Sequence, residues 1–115
     1  MKRHSFLVFT SPVEGMDDEF NQWYDDQHLA DVLDIPGFVS ARRYRLVEPK
    51  HQADELMRWQ YMAIYEIECD DISLALDEIR KRAGTTAMPI SDALDKSKIA
   101  TLVMQPLFRE QDNHD

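Results

Sequence analysis

The stretch from residue 16 to residue 47 constrains the fold most, because it reads as a helix, a turn and a strand in direct succession. Three consecutive acidic residues begin at Asp17, which is the expected N-cap, and their charge lies where the helix dipole favours it. Pro36 forces the residue before it out of the helical region, so the helix has to end by residues 34–35. A β-rich segment follows over residues 38–47.

The face of this helix that should contact the core carries polar groups. At about 100° of rotation per residue, this face presents Phe20, Tyr24, Gln27 and Asp31, with Trp23 and His28 on its flanks. A purely structural helix would carry aliphatic side chains here. Rings, an amide and a carboxylate instead suit an apolar pocket in which a few polar groups orient a ligand. We therefore interpret this helix as one wall of a small-molecule site.

Hydrophobic periodicity predicts four strands and a second helix. The four strands are expected over residues 4–10, 38–47, 57–68 and 99–107. The second helix is capped by Asp70 and Asp71, has apolar residues at spacings of three and four, and ends before Gly84. Polar or turn-rich loops are expected over residues 48–55 and 85–98, the second with a short helical turn.

The order strand, helix, strand, strand, helix, strand predicts an α+β protein with the ferredoxin-like βαββαβ arrangement. One antiparallel sheet of four strands would carry both helices on one face. The other face would be bare although its strands still hold apolar residues, and a second copy packing sheet on sheet is the simplest way to bury it. We predict a single domain over residues 1–108, a polar tail over residues 109–115, and a homodimer.

Composition argues against several classes of function. The net charge is −9, from 13 Lys and Arg against 22 Asp and Glu, which disfavours binding to nucleic acid phosphates. No apolar run approaches the roughly 20 residues that cross a membrane, and the apolar run after His4 is too short for a signal peptide. Cys69 is the single cysteine, so no internal disulfide can form. We expect a cytoplasmic protein.

His28 is the main candidate for chemistry, because an imidazole can give or take a proton near neutral pH. Asp25 or Asp31, each three residues away, could orient the ring or raise its pKa. Tyr24, one turn earlier, could donate a hydrogen bond to a developing enolate or carbonyl oxygen. The structural alternatives are a histidine bonded to a backbone carbonyl and a tyrosine packed in the core with its hydroxyl satisfied.

Three arginines, Arg42, Arg43 and Arg45, lie on one predicted strand, where neighbouring side chains point to opposite faces. One of them could bind a carboxylate or phenolate ligand through two parallel hydrogen bonds. The alternative is an ion pair with one of the many acidic residues. The residues that we predict to contact substrate are Trp23, Phe20, Asp31, Arg43, Tyr44 and Tyr65.

Metal and cofactor sites have little support in the sequence. Asp25 and Asp31 flank His28 at three residues on either side, and such positions rarely converge on one ion. The other histidines lie in unrelated places, and there is no glycine-rich phosphate loop. A heme would need an axial histidine, which His28 could supply, but nothing else favours it. We expect no metal and no cofactor.

Three short segments resemble the dimeric α+β barrel superfamily, and within it the EthD-like branch. They are residues 18–29, which contain the pattern W-Y-x-x-x-H, residues 35–38, which read I-P-G-F, and residues 41–44, which read A-R-R-Y. The resemblance implies a homodimer whose two sheets form a barrel, with a ligand cleft between the sheet and helices of each protomer. It also implies that a helix histidine or a Tyr/His pair acts as acid or base, a role that falls by position on His28, with Tyr24 and Trp23 lining the cleft.

These observations together predict a cofactor-independent enzyme that acts on a cyclic or aromatic compound by proton transfer, in a cyclisation, dehydration or isomerisation. Two alternatives stay open. One is a non-catalytic ligand-binding or accessory protein of a catabolic or biosynthetic pathway, which would use the same cleft. The other is a cofactor-free or heme-using monooxygenase, since the superfamily also includes such enzymes.

Overall fold

A computed structural model describes residues 2–47 and 59–107. Its sheet is antiparallel and consists of β1 (Lys2–Thr10), β2 (Phe38–Arg45), β3 (Tyr61–Cys69) and β4 (Ala100–Met104), in the spatial order β2-β3-β1-β4. The helical elements are α1 (Asp17–Trp23), a π-helical turn (Tyr24–His28), α2 (Leu29–Leu33) and α3 (Ile72–Arg82). This is the predicted ferredoxin-like βαββαβ arrangement, with α1, the π-helical turn and α2 forming one continuous first helix.

Strand register decides which side chains meet the helices. β1 and β3 pair along their whole length, so Phe6 lies opposite Tyr65 and shares its face of the sheet. This face packs against Phe20 and other buried residues of the helices to form the core. On the opposite, open face, Leu102 is 54% exposed and Met104 is 46% exposed. The open face therefore carries exposed apolar side chains, as the alternation of the strands predicts.

The first helix begins and ends through different devices from those expected. Met16 occupies the N-cap position and makes no side-chain cap bond, so the prediction of Asp17 as N-cap is wrong. Asp17 lies inside the first turn, where its charge still suits the helix dipole. At the other end, Gly37 has φ +98°, and a Cβ at this position would lie 3.3 Å from the carbonyl oxygen of Glu68. A glycine is needed here, because the turn brings the backbone close to β3.

The second half of the domain follows the predicted order with shifted boundaries. Asp71 caps α3 by accepting a hydrogen bond from the backbone N–H of Ser73 at 2.9 Å, and Gly84 follows the helix with φ +85°. β3 begins later than predicted, at Tyr61, and extends one residue further, to Cys69, whereas β4 is shorter than predicted at both ends. The predicted loop over residues 48–55 and the predicted tail over 109–115 lie outside the described residues.

Residues 85–98 form a loop that returns across the helical side of the domain. Within it, Met88 and Ala93 are fully buried, and a turn joins the N–H of Leu94 to the carbonyl of Ser91 at 3.2 Å. No helix in the part of the chain that the structure describes is long and apolar enough to cross a membrane.

Candidate functional site

The first helix changes its winding at the point where the candidate residues lie. From Tyr24 to His28 it is π-helical, with the N–H of Leu29 donating to the carbonyl of Tyr24, five residues back. This wider turn places Trp23 and His28, also five residues apart, in a ring stack with centroids 4.6 Å apart. Gln27 is exposed, so the prediction that it shares the core-facing side is wrong. His28 takes the inward position instead.

His28 lies at a cleft of about 180 Å³ between the sheet, the first helix, α3 and the loop over residues 85–98. The wall of this cleft is mainly apolar and includes Phe6, Val8, Val32, Ile79, Met88, Ile90 and Leu94. The polar and aromatic residues that line it are Thr10, Trp23, Tyr24, His28, Tyr65 and Thr101. An apolar pocket with a few polar groups is the usual form of a small-molecule site.

Two buried tyrosines meet beside this cleft. The hydroxyl oxygens of Tyr24 and Tyr65 are 3.3 Å apart, and both side chains are almost completely buried. Burial raises the pKa of Tyr24, and burial together with Tyr24 raises the pKa of Tyr65 well above its usual value. Both hydroxyls therefore keep their protons at neutral pH. Because one O–H serves the bond within the pair, the second proton is available for donation to a ligand.

The imidazole of His28 is neutral at physiological pH. Burial and then the nearby charge of Arg43 lower its pKa from 6.5 to about 4. Its Nδ1 atom is buried and has no hydrogen-bond partner among the described residues. Asp25 binds Arg43, and the buried Oδ2 of Asp31 also lacks a partner in this part of the chain. The expectation that Asp25 or Asp31 raises the pKa of His28 is therefore wrong.

Arg43 lies next to the first helix and outside the cleft lining. Its side chain is 12% exposed and donates hydrogen bonds to Asp25 Oδ1 and to Asn21 Oδ1, each at 2.8 Å. Its guanidinium carbon lies 4.4 Å from the centre of the Tyr24 ring, a distance at which cation–π attraction operates. Of the two alternatives for this arginine, the ion pair with an acidic residue is the one that forms.

The structure brings four of the predicted site residues together and separates the others. Trp23, Tyr24, His28 and Tyr65 all line the cleft. Arg43 and three other predicted residues do not line the cleft. Phe20 is fully buried in the core, and Asp31 lies outside the cleft lining. Tyr44 is 42% exposed on the open face of the sheet. The candidate site as we define it consists of the cleft and its four predicted residues.

Part of the cleft comes from the segment over residues 85–98, which the sequence predicts to be a loop with a short helical turn. Met88, Ile90 and Leu94 cover the cleft, and the carbonyl of Pro89 accepts a hydrogen bond from the indole N–H of Trp23 at 3.1 Å. The sequence feature that indicates this cover is the apolar run Met88-Pro89-Ile90 inside an otherwise polar stretch.

Within residues 2–47 and 59–107, no group of three or more His, Cys, Asp or Glu side chains could hold a metal ion.

Comparison with known protein sequences gives a short match to a fungal protein. No family model matches the chain. A segment of 50 residues, 44% of the chain, is 34% identical to core atranone cluster protein 1 of the fungus Stachybotrys chlorohalonatus. This segment covers 19% of that protein, so the chain spans only a small part of its relative.

Comparison with solved structures gives matches over nearly the whole chain. An EthD family protein from Bacillus halodurans matches 93% of this chain and 100% of its own, with a TM-score of 0.51 and 13% identity. A dimeric ferredoxin-like protein of unknown function from Jannaschia sp. matches 90% of this chain and 99% of its own, with a TM-score of 0.56 and 18% identity. The heme-degrading protein MhuD from Mycobacterium tuberculosis was solved with two hemes in its active site. It matches 94% of this chain and 99% of its own, with a TM-score of 0.61 and 15% identity. These likenesses confirm the fold recognised from the sequence, the ferredoxin-like α+β fold that occurs in an EthD family protein.

Proposed function

We propose that the protein is a cofactor-independent enzyme that removes a proton from a small cyclic or aromatic compound bound in the cleft. His28 is the base. The observation that carries the proposal is a neutral, largely buried imidazole with an unpartnered nitrogen, next to a pair of protonated tyrosine hydroxyls. An acid–base group, a hydrogen-bond donor and an apolar wall are the three parts that such chemistry needs.

In the proposed reaction, a C–H or O–H proton of the ligand moves to the imidazole of His28, and an enolate or phenolate remains. Its oxygen accepts a hydrogen bond from the free O–H of the Tyr24–Tyr65 pair. The imidazolium then returns the proton to a different ligand atom, which gives an isomerisation, or to a leaving hydroxyl, which gives a dehydration. Attack of the enolate carbon on a second carbonyl of the same ligand would give a cyclisation.

The low pKa of His28 is compatible with a base because of where the proton comes from. Burial and Arg43 disfavour an imidazolium that forms alone, by uptake of a proton from water. Transfer from a bound ligand creates an anion at the same moment, so the total charge inside the cleft does not change. Arg43 then stabilises the anion while it disfavours the imidazolium, and the two effects oppose each other.

The volume of the cleft indicates the size of the ligand. A cavity of about 150 Å³ in another protein holds benzene, so a cleft of about 180 Å³ matches a compound with one ring. A heme, with four pyrrole rings in its macrocycle, is far larger. The volume therefore favours a small ring compound over the heme that MhuD binds.

We also propose that the protein forms a homodimer through the open face of the sheet. This face has a broad open groove with a volume of about 890 Å³, and the residues that line it include Tyr44, Ile64 and Met104. The likeness to a dimeric ferredoxin-like protein supports the proposal. Light scattering at micromolar concentration tests it, because a dimer has twice the 13.5 kDa mass of the chain. A monomeric mass would refute it.

The second candidate is a ligand-binding protein without catalysis. The observation that favours it is the pKa of about 4 for His28, which keeps the imidazole neutral, so that it can accept a hydrogen bond from a ligand without taking its proton. Both candidates share the cleft and the ligand class, so the fate of the ligand distinguishes them.

The test is hydrogen exchange into a bound ligand. A panel of enolisable cyclic ketones, lactones and phenols is first screened by thermal shift, and each binder is then incubated with the protein in D2O and followed by NMR. We expect the wild type to catalyse exchange at an acidic ligand carbon and His28→Asn to lose it. His4→Asn is the matched control, because His4 is a buried histidine outside the cleft lining.

Two outcomes would contradict the proposal. Binders that are recovered from the wild type without any deuterium would favour the non-catalytic candidate. If a folded His28→Asn variant catalysed exchange at the wild-type rate, the protein would still be an enzyme, but His28 would not be its base.

A further inference from the structure

We propose that Arg43 is a positioning residue that holds the π-helical turn Tyr24–His28 and thereby keeps His28 at the cleft. The catalytic importance of this role rests on the proposed function, but the structural role does not. Arg43 comes from β2, touches the helix at the start of the turn, and is not part of the cleft lining.

The guanidinium of Arg43 binds the first helix where α-helical hydrogen bonding in α1 changes to π-helical hydrogen bonding at Tyr24. One nitrogen donates to Asn21, in α1, and the other donates to Asp25, in the π-helical turn, both at 2.8 Å. Between these two contacts the guanidinium lies over the ring of Tyr24, the first residue of the turn. A single side chain therefore fixes three residues on both sides of the transition.

The contact to Asn21 is itself braced. The side-chain N–H of Asn21 donates to the Asp17 carbonyl and to the Tyr61 hydroxyl, each at 3.0 Å. Arg43 thus joins β2 and β3 to the first helix through a connected set of hydrogen bonds. Asp25 is 57% exposed, so its ion pair alone contributes little, and most of the restraint comes from the less exposed contacts to Asn21 and Tyr24.

A π-helical turn needs such a restraint because a regular α-helix competes with it. π-Helices are rare, occur mostly as single turns and are frequent at functional sites. In a regular α-helix, the core-facing position after Tyr24 would fall to Gln27, as the sequence pattern predicts, and His28 would move to the flank. The extra residue in the turn is what stacks His28 on Trp23 at 4.6 Å. Holding the start of the turn holds this stack.

The experiment compares Arg43→Met and Arg43→Lys with Arg42→Met in the protein without ligand. Arg42 is the matched control, since it is the adjacent arginine and lies on the open face. The signals of the His28 ring are read by ¹H–¹³C NMR and assigned through His28→Asn. In the wild type we expect an upfield shift from the Trp23 ring and a titration midpoint of about 4.

In Arg43→Met we expect the upfield shift to be lost and the midpoint to rise towards 6.5. Arg43→Lys keeps the charge but cannot bind both partners, so the shift should still be lost while the midpoint rises less. Arg42→Met should match the wild type. A His28 signal that keeps its shift in Arg43→Met would overturn the proposal.

If Arg43→Met does not fold, the double variant Asn21→Ala/Asp25→Ala removes both hydrogen-bond partners of the guanidinium and provides the same measurement. Because the contact of Arg43 with the Tyr24 ring survives in that variant, the result is read together with Arg43→Lys, and retention of the shift in both variants would overturn the proposal equally. These measurements need no ligand, so they can succeed where the proposed enzyme activity fails. Conversely, if His28 proves to be catalytic but its ring signal is unchanged in Arg43→Met, the proposed function stands and only the positioning role of Arg43 is refuted.

Discussion

The buried imidazole of His28 should make the protein lose stability as the pH falls from neutral, and this can be measured without a ligand. In the unfolded chain the ring titrates near its usual pKa of 6.5, and in the folded protein it titrates at about 4. Between these values the unfolded state binds a proton that the folded state excludes. The free energy of unfolding therefore falls as the pH drops below 6.5 and levels off below about 4.

The two pKa values set the size of the effect. A pKa difference of one corresponds to about 1.4 kcal/mol, so the full effect of His28 is about 3 kcal/mol. At pH 5 about 2 kcal/mol of it has been lost. For a domain of this size that is a large part of the total stability, which is commonly about 5–15 kcal/mol.

Urea denaturation of the wild type and of His28→Asn at pH 7.5 and pH 5 isolates this contribution. Carboxylates titrate in both proteins, so their effects cancel in the difference between the two. We expect the wild type to lose about 2 kcal/mol more than His28→Asn over this interval. Protein concentration is kept constant, because dimer dissociation would also change the apparent stability. His4→Asn, with a buried histidine outside the cleft, serves as the control.

Equal losses in the wild type and in His28→Asn would refute the reasoning, since His28 would then titrate as it does in the unfolded chain. The neutral, buried base on which the proposed function depends would not exist.

Three further predictions follow from the same geometry. Ligand exchange by the wild type should be independent of pH between about 6 and 8 and should fall about tenfold per pH unit below about 4, because only neutral His28 accepts a proton. Gly37→Ala should destabilise the fold by about 1–3 kcal/mol, because φ is +98° and the Glu68 carbonyl is close, whereas Gly84→Ala meets no atom within 4 Å and should cost less. Thermal or urea denaturation checks both glycines. Tyr24→Phe and Tyr65→Phe should each cost about 1 kcal/mol by leaving the other hydroxyl without its partner, and in urea denaturation the double variant should cost less than their sum.

The order of the elements could be predicted from sequence because it depends on local signals. Strand alternation, the apolar stripe of α3, and the turns at Gly37 and Gly84 all act over a few residues. The N-cap of the first helix could not be predicted as safely. Several acidic residues in a row offer more than one suitable cap, and in the structure the N-cap lies one residue before them, at Met16.

The faces of β2 show a different limit. Arg43 and Tyr44 are adjacent on a strand, so they point to opposite faces and cannot both line one cleft. The sequence predicts this opposition but does not say which of the two faces the helices cover. The register between β2 and β3 decides it, since Arg43 pairs with Ala63 on the buried face and Tyr44 pairs with Met62 on the other.

The position of His28 depends on contacts that are distant in sequence. Local periodicity predicts a regular α-helix, in which Gln27 faces inward, whereas the π-helical turn is braced by Arg43, which lies 18 residues beyond Asp25. The cover of the cleft comes from still farther along the chain, with Pro89 lying 66 residues beyond Trp23. The four residues that meet at the cleft were predicted from their chemistry, but their geometry required the folded chain.

The distribution of charge around the cleft connects these findings with the proposed chemistry. The chain carries a net charge of −9, yet no acidic side chain is among the described residues that line the cleft. Arg43 is the formally charged group that shifts pKa values at the cleft: it lowers the pKa of His28, and it lowers those of Tyr24 and Tyr65 against the larger effect of burial, which raises them. Such a site disfavours a proton taken up from water and favours a negative charge that forms on a ligand. The same field would bind a ligand anion even without catalysis, which is why the fate of the ligand proton, and not affinity, has to decide between the two candidate functions.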